Sequence, residues 1–80
     1  MGGLHGKPMR PRHVRRFRHD GKSYIAYEGG VPAFKPGTLV ATGYAISVVA
    51  DGHRPTPNEL AAALDTVEAI WSIEEARGGA

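Results

Sequence analysis

The stretch RHVRRFRHDGKSYIAY, residues 12–27, interleaves basic and aromatic side chains. Arginine and lysine neutralise phosphates, and aromatic faces stack on unpaired bases, so this alternation supplies the chemistry of a single-stranded nucleic-acid site. Arg10, Arg12, Arg15, Arg16, Arg18, Lys22 and Tyr27 are the residues that would carry it. A competing reading gives Phe17, Tyr24 and Tyr27 to a core and leaves the arginines to keep a hairpin edge soluble and unpaired.

The charge is unevenly spread. Residues 1–22 hold Lys7, Arg10, Arg12, Arg15, Arg16, Arg18 and Lys22 against Asp20, a balance of +6. Residues 23–80 hold Lys35, Arg54 and Arg77 against Glu28, Asp51, Glu59, Asp65, Glu68, Glu74 and Glu75, a balance of −4, so the whole chain carries +2. A basic N-terminal part calls for an anionic partner. The acidic remainder offers a second surface: Glu68, Trp71, Glu74 and Glu75 would face a protein partner, with Trp71 as the anchor. Glu74 and Glu75 oppose the helix dipole, by about 0.3–1 kcal/mol each. A hairpin arginine or a basic partner protein would offset that cost.

Other chemistries lack their residues. There is no cysteine, so neither a disulfide nor a thiolate zinc site can form. His13 and His19 would share a strand face about 20 Å apart, too far for one ion, and no metal or other cofactor is expected. KPGT, residues 35–38, lacks the lysine next to the threonine and the upstream glycine spacing of a phosphate loop. Ser23, Ser47 and Ser72 sit in no nucleophile motif. His19 and Asp20 adjoin at a tight turn, where both would be solvated, and so small a core struggles to hold a preorganised site. The chain reads as non-enzymatic.

These side chains need elements to position them. Eighty residues allow one small domain, which buries only about 60% of the surface its unfolded chain exposes. Residues 1–12, with three glycines, two prolines, His5 and the basic Lys7, Arg10 and Arg12, read as a flexible basic arm, and residues 13–80 as a single α+β domain. HVRRFRH and KSYIAYE flank Asp20-Gly21, a strong type I′ hairpin signal. A two-residue loop makes cross-strand partners sum to 41. Phe17, Tyr24, Ala26, Arg15, His19 and Lys22 then share one side, and Val14, Arg16, Arg18, Ser23, Ile25 and Tyr27 the other. The first side is expected inward, because the second would bury Arg16 and Arg18. Residues 29–37 form a loop whose Val31 and Phe34 are expected to fold over the core.

TLVATGYAISVVA, residues 38–50, predicts a central strand, with a bulge or split at Gly43. Thr56-Pro57-Asn58-Glu59 is a capping box. Leu60, Leu64, Val67 and Trp71, flanked by Ala63 and Ile70, then recur at helical spacing up to Gly78-Gly79. The predicted architecture is a small antiparallel sheet, made of the N-terminal hairpin plus one long or bulged strand, packed by one C-terminal helix. No apolar run approaches the roughly 20 residues of a membrane span, and the N-terminus has no apolar h-region, so a cytoplasmic location is expected.

A small binding or regulatory module that associates with nucleic acid through its arm and hairpin is the first functional reading. The alternative is a protein-interaction module, using the sheet edge or the acidic helix on a larger host complex. The arginine, alanine and glycine usage points to a bacterium or its phages. A structural or assembly subunit, paired as a homodimer through an open strand edge, is the third reading.

Overall fold

Asp20 and Gly21 both take positive φ, 53° and 76°, as a type I′ turn demands. The chain reverses there between β1 (His13–His19) and β2 (Lys22–Glu28). The computed structural model describes residues 10–78. The hairpin register pairs Phe17 with Tyr24, Arg15 with Ala26 and Arg16 with Ile25, so the loop length alone fixed which side chains share a face. Residues 1–9 of the expected arm lie outside the described residues. Arg12 already belongs to the ladder, its backbone N–H donating to the Glu28 carbonyl at 2.8 Å.

Residues 38–50 divide at Gly43 into β3 (Ala41–Thr42) and β4 (Ile46–Ala50). The Gly43 N–H donates to the Ile46 carbonyl at 2.8 Å across the reversal, and Tyr44 stands fully exposed at its tip. The four strands form one antiparallel sheet in the order β1-β2-β4-β3. The near-continuous apolarity of ISVVA suits β4 to its place between two neighbours, where Ile46, Ser47, Val48 and Val49 are all buried.

One helix, α1 (Pro57–Gly78), covers one sheet face, making a small α+β domain. Tyr24, Ala26, Ile46 and Val48 meet Leu60, Ala63 and Val67 in the core, with Phe17, Leu64 and Trp71 packed around it. Tyr24 is 1% exposed, stacked on Phe17 at 5.7 Å between ring centres and edge-on to His53 at 5.1 Å. The inward side is therefore the one carrying Phe17, Tyr24 and Ala26, as the need to keep Arg16 and Arg18 in water dictated.

The loop after β2 departs from expectation. Phe34 packs on Tyr27 at 5.7 Å, and Tyr27 projects from the face opposite α1. The register puts Tyr27 beside Ser47 and Ile25 beside Val49 on that face. Tyr27 and Ile25, half-buried, and Val49, buried, are apolar groups a returning loop can cover, whereas the helix already occupies the other side.

The start of α1 follows from its capping residues. The Glu59 N–H donates to the Thr56 hydroxyl at 3.1 Å, and the Thr56 N–H donates to the Glu59 carboxylate at 2.9 Å. Two N–H groups that the helix cannot satisfy are thereby paired. Thr56→Ala is expected to cost about 0.5–2 kcal/mol, measured as a shift in the urea midpoint with the slope unchanged. A midpoint equal to that of the parent protein would mean that the cap contributes nothing.

Candidate nucleic-acid interface

Residue parity in the hairpin sorts its basic side chains into two groups. Arg15 and Lys22 lie on the helix side with Phe17 and Tyr24, whereas Arg16 and Arg18 lie on the outer face with Val14, Ile25 and Tyr27. The helix-side pair is already engaged. Arg15 donates to both Glu74 carboxylate oxygens, at 2.8 and 2.9 Å, and its guanidinium carbon stands 5.4 Å from the Trp71 ring centre. Arg15, through this one nitrogen, is the hairpin arginine that offsets Glu74 at the helix C-terminus. Lys22 donates to Glu59 at 2.5 Å, tying the hairpin turn to the helix start.

The outer-face arginines are differently placed. Arg16 is 76% exposed, and its only carboxylate neighbour among the described residues is Asp51, at 3.5 Å. Arg18 folds over the turn, donating to the Gly21 carbonyl at 2.6 Å and the Ser23 hydroxyl at 3.2 Å. Neither acceptor neutralises it. Arg12 is exposed and lies across Gly29, where an added Cβ would come within 2.6 Å of its Nε. Gly29 also has a φ of 84°, a backbone angle that favours glycine there. Arg10 is exposed next to this stretch. Arg12, Arg16 and Arg18 thus form a basic stripe along the edge strand, with no carboxylate closer than Asp51 among the described residues. Tyr27, the aromatic member of the predicted set, is half-buried and holds Phe34 against its ring.

The acidic candidates gather on the opposite side. Glu74 holds Arg15, and Trp71 packs at the core margin beneath the guanidinium. Glu68 rests its carboxylate against Gly43, where a Cβ would overlap it. Glu75 is exposed. The molecule is therefore polarised, with basic groups along the outer face of β1 and acidic groups along α1.

Three further contacts involve histidines. Glu28 is bonded to His13 Nδ1 at 2.8 Å. Thr66 on α1 meets His19 Nδ1 at 3.0 Å. His53 Nε2 is buried against the core without a hydrogen-bond partner among the described residues. The first follows from the hairpin register, which pairs His13 with Glu28; the other two depend on long-range docking of the helix or loop, which no local motif announces. Among the described residues no group of three or more His, Cys, Asp or Glu side chains is placed to hold a metal ion, and no helix is long and apolar enough to cross a membrane.

The Lys22–Glu59 pair carries a pH signature. The hydrogen bond from Lys22, aided by the Thr56 N–H, lowers the Glu59 carboxyl from 4.5 to about 2. The same bond, with the attraction of Glu59, raises Lys22 above 10.5. A lowered acid adds stability above its unfolded value and loses it as pH falls through its folded one. The contribution of Glu59 should therefore disappear between about pH 4.5 and 2. The raised base adds stability below 10.5 and loses it as pH rises past its folded value. Melting temperatures of the parent protein and Glu59→Gln should converge as pH falls through the acid window. A constant gap down to pH 2 would contradict the pairing.

Comparison of the chain with protein-family models, curated proteins and solved structures finds no match.

Proposed function

We propose that this chain is a small non-catalytic module that associates with nucleic acid through the outer face of its N-terminal hairpin. The observation that carries the reading is the separation of its basic side chains. Arg15 and Lys22 are held on the helix side by Glu74 and Glu59, while Arg12, Arg16 and Arg18 are exposed and hold only Asp51, at 3.5 Å from Arg16, and the neutral acceptors of the turn. Exposed arginines so lightly held are the groups a phosphate backbone can recruit without breaking the fold.

Arginines in alternate positions of an extended strand repeat about every 6.6–6.8 Å. This is close to the spacing of successive phosphates in an extended single strand, so Arg16 and Arg18 would meet neighbouring phosphates. Tyr27 and Phe34 stand on the same face, where an unpaired base would stack. Arg10 and Arg12 continue the stripe toward the N-terminus.

The direct test is the material that accompanies the protein through purification. The 260/280 nm absorbance ratio is expected to be raised after a low-salt preparation and to fall to that of free protein after a high-salt wash, because phosphate contacts weaken with salt. A ratio that is that of free protein even from the low-salt preparation counts against the reading.

A further inference from the structure

Helix α1 has 22 residues and so runs for about 33 Å, whereas the seven-residue strands reach only about 23 Å. Its C-terminal turns, from Trp71 to Glu75, and the part of the sheet that carries His13, Glu28 and Ile46 line a groove of about 830 Å³. Ile46 supplies apolar surface, and Tyr44 and Trp71 supply aromatic surface.

Four carboxylates line the groove, those of Glu28, Glu68, Glu74 and Glu75, against the single guanidinium of Arg15. Arg15 shows what the groove accepts: a planar cation held by a carboxylate at 2.8 Å and by the face of Trp71. It neutralises Glu74 only. Glu28 has His13, but Glu68 and Glu75 have no cationic partner among the described residues. Glu68 is half-buried against the Gly43 backbone, and a carboxylate so placed gains from a counter-charge more than one free in water does.

We infer that this groove docks an extended, arginine- or lysine-bearing segment of a partner protein, with a cationic side chain against Glu68. Charge complementarity selects the occupant. The excess of carboxylates repels nucleic acid and acidic peptides, and the groove is large enough for several residues rather than one ion. Arginine is favoured over lysine, because its planar group can lie against an aromatic ring while it donates to a carboxylate, as Arg15 does. The site is on the opposite side of the sheet from Arg16 and Arg18, so the inference does not depend on the outer-face reading.

A titration of the full ¹⁵N-labelled chain with a capped hexapeptide of alternating glycine and arginine tests it, followed by amide and indole spectra. The Trp71 indole N–H and the Gly43 and Ser72 amides are expected to move saturably, and the matching glycine–glutamate peptide to leave them unmoved. Glu68→Gln should weaken the arginine peptide about tenfold, Glu68→Lys should abolish its binding, and Arg16→Ser/Arg18→Ser should leave it unchanged. Amides outside the groove report that each variant is folded. Shifts spread equally over Glu59 and Asp65, or parent-like affinity in both Glu68 variants, would overturn the inference. So would broadening of the groove resonances with protein concentration alone, relieved by Glu68→Gln, which would make a second copy of the chain the occupant.

Discussion

Replacing Tyr24 by alanine is expected to remove about 3–5 kcal/mol of stability, the range measured for large aromatic truncations in cores. Tyr24 is 1% exposed and joins the hairpin to both Phe17 and His53. It also lies in the cluster with Leu60, Ala63 and Val67, so its ring fills the space between sheet and helix. An 80-residue domain has about 4–12 kcal/mol in total, so this one change consumes much of the margin. With each kcal/mol worth about 4–8 °C in a domain of this size, the melting temperature should fall by at least 12 °C. Tyr24→Phe keeps the ring and should cost under about 1.5 kcal/mol. A Tyr24→Ala protein that melts within 3 °C of the parent would show that the core lies elsewhere.

Much of this arrangement was legible because short-range rules fixed it. Asp20-Gly21 set the hairpin loop at two residues, and that length set the register. Thr56 and Glu59 announced the helix start, and Gly43 marked where the third apolar stretch breaks. The division of the basic residues was also legible in outline: the same parity that turns Phe17 inward turns Arg15 inward with it.

What stayed hidden depended on docking. Nothing local to Arg15 names Glu74, which is 59 residues away. Nothing in GGVPAFKPG says which sheet face Phe34 will cover, because proline and glycine fix bends and leave the direction of return to the packing. The groove under the helix end is equally non-local. It is bounded by the last turns of α1 and by His13, Glu28 and Ile46, which lie on three separate strands.

The largest functional effect is expected from replacing Arg10, Arg12, Arg16 and Arg18 together with serine. All four are exposed, and none of them belongs to the core cluster. The variant should retain the parent circular dichroism spectrum and melt within a few degrees of it. Each solvent-exposed ion contact is worth up to about 1 kcal/mol, so four lost together should weaken binding to a single-stranded oligonucleotide on the order of a hundredfold at low salt. Arg15→Ser/Lys22→Ser serves as the control. It removes half as many positive charges, but from the helix side, where they are committed to Glu74 and Glu59. Its affinity should fall by no more than a few-fold, although it loses some stability. Equal losses per charge in the two variants would mean that overall charge, and not the outer face, governs binding.

The salt dependence of single-stranded DNA binding tests the outer-face assignment most directly. Each phosphate neutralised on a single strand contributes about −0.7 to the slope of log K against log salt. With Arg10, Arg12, Arg16 and Arg18 in contact the parent slope should be close to −3, and the quadruple serine variant should bring it near zero while Arg15→Ser/Lys22→Ser leaves it unchanged. A parent slope near zero, or a steep slope that survives the quadruple substitution, would contradict the proposed interface.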